Sequence, residues 1–176
     1  NRVMARLDRR FGDALYHHVS RCYGFEDSDM GKGLVSELIR DASGSISHTL
    51  KQYIWDHGFD DNARHAVTAF CRGWESLGVP SRDLLLHNLV AQRDNDGRIV
   101  RLVVIDGLGG SGLIPDHWLP LGFLRRRARR KTRNLYQRID TLPSQRGQET
   151  FPGYHGQPFH DGTAQSGSQA TASQAP

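Results

Sequence analysis

Residues 81–90 read SRDLLLHNLV, and residues 103–107 read VVIDG. The first stretch sets Arg82, Asp83, His87 and Asn88 among leucines and a valine. An apolar run gains by burial, but an unpaired carboxylate or amide carried in with it costs about 1–3 kcal/mol. These polar groups need partners or a chemical purpose, and how that tension resolves decides the fold.

Working outward, Asp83 opens the run DLLLHNLVAQ (83–92), which RDNDG (93–97) separates from RIVRLVVID (98–106). Asn, Asp and Gly tolerate the left-handed backbone of a tight turn, so the pattern predicts a β-hairpin. After Asp106 the run GLGGSGLIP (107–115) holds four glycines and is expected to be a loop that lets a ligand approach the backbone. The hairpin places Asp83 and Asn88 at its entrance and Asp106 at its exit. Carboxylate and amide oxygens are hard ligands, suited to Mg²⁺ with phosphate oxygens completing the shell. The trio points to a phosphate-handling site.

Upstream, Val3, Met4, Leu7, Phe11, Leu15 and Val19 recur at helical spacing and predict an amphipathic helix over 2–19. Residues 19–41 read as strand, turn and strand, with the turn from Glu26 to Gly33. Leu50, Tyr53, Ile54 and His57 mark a short helix over 47–57. Asp60 or Asp61 can cap a longer one carrying Ala63, Ala66, Val67, Phe70, Trp74 and Leu77 and stopping at Gly78, with Pro80 beyond. Downstream, Leu121, Leu124, Ala128, Leu135 and Ile139 predict a final helix, and no internal repeat is visible.

The formal charge of +4 conceals an asymmetry: residues 123–139 hold eight of the 23 basic residues and no acidic one. The last 15 residues, GTAQSGSQATASQAP, are small and polar and cannot offset the entropy of ordering, so a disordered tail is expected. Two isolated cysteines, Cys22 and Cys71, exclude a disulfide framework and a four-cysteine zinc site. No run reaches the roughly 20 apolar residues of a membrane span and no secretory leader is visible, so a cytoplasmic protein is the expectation.

RDLLLHN (82–88) resembles the Arg-Asp-x-x-x-x-Asn catalytic loop of the protein-kinase fold, and VVIDG resembles the strand that ends in its metal-binding aspartate. From about Val19, through RCYGFEDSDMGKGLVSEL and GLIPDHWLP, to the basic helix near Ile139, the chain is similar to the PhoP regulatory network protein YrbL family of that superfamily. The resemblance implies an α+β, protein-kinase-like fold: mainly the C-terminal lobe plus the end of the N-terminal lobe. It implies a domain over residues 1–140, truncated at its amino end, and a tail over 141–176. Asp83 would orient or deprotonate the acceptor hydroxyl. Asn88 and Asp106 would hold Mg²⁺ against ATP phosphates, and the backbone of Glu37, Leu38 and Ile39 would meet adenine.

The sequence departs from the kinase pattern at named places. Ser81 stands where that pattern has histidine, Leu85 where it has a phosphate-contacting lysine, and Gly107-Leu108 where Phe-Gly follows the metal aspartate. The glycine-rich phosphate loop and the lysine strand of the amino-terminal lobe are not seen. Two functions stay open: an ATP-dependent phosphotransferase or impaired relative, with a nucleotide and an unnamed acceptor or partner protein, and a non-catalytic stress-response regulator acting through its basic helix. The arginine run of that helix would contact a protein, an anionic surface or, less favoured, nucleic acid, or it is a solvated face. His17, His18 and His87 are read as packing or surface residues rather than metal ligands, and Cys71 as a buried, inert thiol.

Overall fold

The computed structural model describes residues 2–109 and 118–142. The helical periodicity of residues 2–19 is used only in its first half. Helix α1 (Arg2–Phe11) ends where Gly12 adopts a φ of +55°, and residues Gly12–His17 tighten into a 3-10 turn. Leu7 and Leu15 are buried as expected, but Val19 has left the helix and makes a parallel bridge to Val104. The predicted helix over 2–19 is thus corrected to ten residues, because the glycine breaks a pattern that hydrophobic spacing alone would continue.

Strands β1 (Cys22–Ser28) and β2 (Gly31–Ser36) form an antiparallel hairpin. Most of the expected turn is strand: Glu26, Asp27 and Ser28 pair with Gly33, Lys32 and Gly31, leaving Asp29 and Met30 as the tip. The Ser28 hydroxyl closes it, donating to the Gly31 carbonyl at 2.7 Å. Tyr23, Phe25 and Leu34 are each more than half exposed, so this hairpin carries apolar side chains that the described residues do not cover.

Helix α2 (Leu50–His57) starts later than expected, at Thr49, whose hydroxyl accepts from the Gln52 N–H. Helix α3 (Asp61–Leu77) matches its sequence signals at both ends. The Asp60 carboxylate accepts the Ala63 N–H at 2.8 Å, and Gly78 closes the helix in the left-handed conformation at φ +67°. Its face of Ala63, Val67, Phe70 and Trp74 is buried, with Phe70 stacked on Trp74 at 5.3 Å.

Strands β3 (Leu89–Arg93) and β4 (Ile99–Val104) pair antiparallel, with Leu89 opposite Val104 and Val90 opposite Val103. Asp94 makes the turn by accepting the N–H groups of Asp96 and Arg98, and Gly97 supplies a φ of +77°. Strand β3 begins six residues after Asp83, because Leu86–Asn88 wind into a single 3-10 turn. Helix α4 (Leu121–Thr141) buries Leu124, Ala128, Leu135 and Ile139.

The architecture is therefore mixed α+β: the described residues form four α-helices and two two-stranded antiparallel sheets, with α3 packed between α4 and β4. Each fully buried leucine or tryptophan of this core contributes roughly 1.5–3 kcal/mol. Among the described residues no helix is long and apolar enough to cross a membrane. Residues 110–117 of the glycine-rich loop and all of the expected tail beyond Leu142 lie outside the described residues.

Candidate functional site

The leucine run resolves its tension by splitting. Leu84, Leu86 and Leu89 enter the core, while Asp83 and Asn88 stay half-buried at its rim. The segment is then zipped to the chain that leaves β4. Ser81 bridges Leu108, the Arg82 N–H donates to the Gly107 carbonyl at 2.8 Å, the Gly109 N–H to Pro80 at 2.9 Å, and the Ile105 N–H to Asn88 at 3.0 Å. Residues 80–88 and 105–109 thus form one unit, in which Asp83, Asn88 and the neighbour of Asp106 meet.

Gly107 is the point of closest approach. At φ +83°, a Cβ there would lie 3.2 Å from the Asp83 carbonyl and 3.7 Å from the Asn88 side-chain nitrogen. A side chain would be strained twice, by the backbone and by the crowding. Its N–H donates to Asp106 Oδ1 at 2.6 Å, a bond that leaves the second oxygen of that exposed carboxylate unused. Asp106 lines a cleft of about 250 Å³ with Met4, Cys22, Leu34 and Ser36, between β1–β2 and the loop after β4. At the other side, the Ser81 hydroxyl is buried without a hydrogen-bond partner among the described residues.

Asp83 is held from α4. Arg138 donates to Oδ1 at 3.2 Å and to Oδ2 at 2.6 Å, the Leu84 N–H donates to Oδ1 at 3.0 Å, and the Lys131 ammonium lies 3.9 Å from Oδ1. Oδ2 accepts one of the two hydrogen bonds a carboxylate oxygen can take, so it keeps a lone pair for a hydroxyl. Arg138 and Lys131 are partners of Asp83 that sequence spacing does not reveal. They lie about fifty residues downstream in a run whose composition reads only as basic surface.

The three residues expected against adenine are placed differently from one another. The Glu37 carboxylate accepts from Arg101 at 3.3 Å and from the Arg21 N–H at 3.0 Å. Ile39 is buried with Val90 and Val103, and its carbonyl accepts the Ser47 N–H. Leu38 is half-exposed between them, with its backbone groups unbonded to the described residues.

Among the described residues no group of three or more His, Cys, Asp or Glu side chains could hold a metal by itself. An ion that takes one carboxylate, one amide oxygen and phosphate oxygens does not need such a group, and Asp106 and Asn88 carry donors of that kind on two segments that the Ile105–Asn88 hydrogen bond joins. Burial, His17 and Arg101 push His18 down, and its ring meets Phe70 edge-on at 5.5 Å. Burial and then the Glu75 carboxylate push the Cys71 thiol up to about 12, which makes it a poor nucleophile.

The family model described as PhoP regulatory network protein YrbL matches residues 7–140, from the middle of α1 to the last turn of α4. The chain belongs to the PhoP regulatory network protein YrbL family. No curated protein matches it at a significant level. The matched range includes β1–β2, the Asp83 segment, Lys131 and Arg138.

Proposed function

We propose that this YrbL-family chain is the nucleotide-handling part of a kinase-like domain, binding Mg²⁺-ATP between β1–β2 and the Asp106 loop and passing the terminal phosphoryl group to an acceptor hydroxyl. The observation that carries this reading is the zipper between residues 80–88 and 105–109, which gathers Asp83, Asn88 and Asp106 around Gly107. In it Asp106 and Asn88 hold the metal, whose chemistry is to neutralise charge on the phosphates. Asp83 orients the acceptor: the hydroxyl oxygen bonds to the terminal phosphorus as the bridging P–O bond breaks, ADP leaves, and the hydroxyl proton passes to Oδ2 of Asp83. The half-exposed backbone at Leu38 meets adenine. The uncovered apolar side chains of β1–β2 are where further strands of an amino-terminal lobe would pack.

Thermal unfolding with and without Mg²⁺-ATP, beside Asp106→Asn, tests this. Ligand at 100 times its dissociation constant adds about 2.7 kcal/mol, a clear upward shift of the midpoint. The shift should require Mg²⁺ and vanish in the variant, and a midpoint indifferent to nucleotide would overturn the reading. Transfer to a protein acceptor that survives Asp83→Ala would remove the catalytic half alone.

A second reading, a regulator in the PhoP network that works through α4 without catalysis, is favoured by one observation. Phe123, Arg126, Arg130 and Arg133 line a groove of about 480 Å³ on the outer face of that helix. It predicts polyanion binding that falls steeply with salt.

A further inference from the structure

Two cations converge on Asp83 where one would balance it. Arg138 already takes both carboxylate oxygens, and the Lys131 ammonium approaches the same group while donating to the Arg82 carbonyl. The Lys131 side chain is only 17% exposed. A positive charge drawn this far from water wants a full negative charge beside it, and Asp83 is already spent on Arg138. An ammonium has three donors, and the Arg82 carbonyl uses one. The remainder is an excess of one positive charge, with donors that no described residue takes, at the rim where Asp83 meets the Gly107 turn.

The chemistry of the cation narrows the ligand. Lys131 is the one lysine among the eight basic residues of 123–139. Where flanking arginines present flat forks, it presents a compact point charge on a flexible stem, which suits a phosphoryl oxygen that changes position as a bond breaks. Resting on the function just proposed, we propose that Lys131, delivered by α4, recognises the terminal phosphoryl group of the nucleotide, and that Arg138 is a positioning residue holding Asp83 beside it. The site is then assembled from two distant segments, the Asp83 run and the basic helix. One cation of that helix reads the phosphate while another fixes the carboxylate.

Calorimetric titration with Mg²⁺-ATP and with Mg²⁺-ADP, for the wild-type chain, Lys131→Met, Lys131→Arg and Arg138→Met, tests this. The wild type should prefer ATP. Lys131→Met should lose about tenfold in ATP affinity with ADP affinity unchanged, since only ATP carries the group it reads. Lys131→Arg, which keeps the charge, should retain most of the preference and controls for folding. Arg138→Met frees Asp83 to pair with Lys131 and should therefore also weaken the preference for ATP, and an Arg138→Met chain with an undiminished preference would count against the charge excess. Equal losses for both nucleotides, or no loss for either, would overturn the assignment while leaving nucleotide binding standing. A wild-type chain that binds neither nucleotide would instead remove the nucleotide site itself, and Lys131 with it.

Discussion

Arg138 on α4 and Asp83, 55 residues earlier, form a two-pronged ion pair at 3.2 and 2.6 Å that ties the last helix to the segment most expected to do chemistry. Both side chains are about one-third exposed, so solvent screens much of the attraction. Bidentate geometry recovers part of it. Arg138→Ala and Asp83→Ala should each cost about 1 kcal/mol in urea unfolding. The double variant should cost about 1 kcal/mol less than their sum, because the two share one interaction. Strict additivity would show that α4 and the Asp83 segment are held together by packing alone.

A second contact is a matter of space. Gly73 lies inside α3, where alanine would ordinarily gain about 1 kcal/mol in helix propensity. Its added Cβ would fall 2.1 Å from His18 Nε2, so the ring would have to leave its contact with Phe70. Overpacking costs about 1–3 kcal/mol, and Gly73→Ala should be destabilising on balance. In a His18→Ala background the clash is gone, and the same substitution should stabilise by about 1 kcal/mol. The reversal of sign, read from thermal midpoints, is the test.

His18 also sets a pH dependence. Its folded pKa is pushed down by burial, then by His17 and Arg101. Above the unfolded value near 6.5 the ring is neutral in both states and costs nothing. Below it the unfolded chain takes up the proton first, so stability falls as pH drops from about 6.5 toward the folded pKa. His18→Phe should flatten that part of the stability–pH curve. A curve of unchanged slope would mean that another group carries the effect.

What the sequence revealed follows how local each signal is. The ends of α3 were legible because Asp60 and Gly78 act on their own helix, and the β3–β4 turn because Asp94 and Gly97 act within five residues. The α1 prediction overran because Leu15 is buried on the extrapolated face, so the pattern continues through a backbone that Gly12 has already broken. The sequence predicts too wide a turn for the first hairpin because Asp, Ser, Gly and Lys look like turn residues even when an exposed strand uses them. At the site, the segment holding Asp83 and Asn88 and its proximity to Asp106 were legible. The cations upon it were not, since nothing in the spacing of Lys131 and Arg138 points back to residue 83.

Asp41 gives a contrasting titration. Burial raises its pKa, but bonds from the Ser47 hydroxyl at 2.6 Å and from the Arg93 N–H and guanidinium outweigh that and hold it below the usual carboxylate range. The depressed value means a contribution that is fully present above about pH 4 and is lost as pH falls through the folded pKa. Asp41→Asn should therefore cost about 2–3 kcal/mol at pH 7 and much less at pH 2. Because the Arg93 N–H donates to the Asp41 carboxylate, the variant should also speed amide exchange at Arg93. Equal destabilisation at both pH values would assign the effect to lost packing.

The outer face of α4 separates the two functional readings by its own energetics. Arg126, Arg130 and Arg133 sit at i, i+4 and i+7, and none has an ion-pair partner among the described residues, so they repel one another by a few tenths of a kcal/mol per pair. Arg130→Glu replaces two repulsions with two attractions and should stabilise the chain by about 1 kcal/mol. If the groove is only a solvated face, that gain comes without loss, and Mg²⁺-ATP binding is unchanged. If it holds a polyanion, the same variant should bind duplex DNA or anionic vesicles more weakly, with a smaller salt dependence. An arginine that costs stability and whose removal weakens binding is kept for a partner. The expected outcome under the nucleotide reading is the first: a stabler chain, equal ATP affinity, and no polyanion binding to lose.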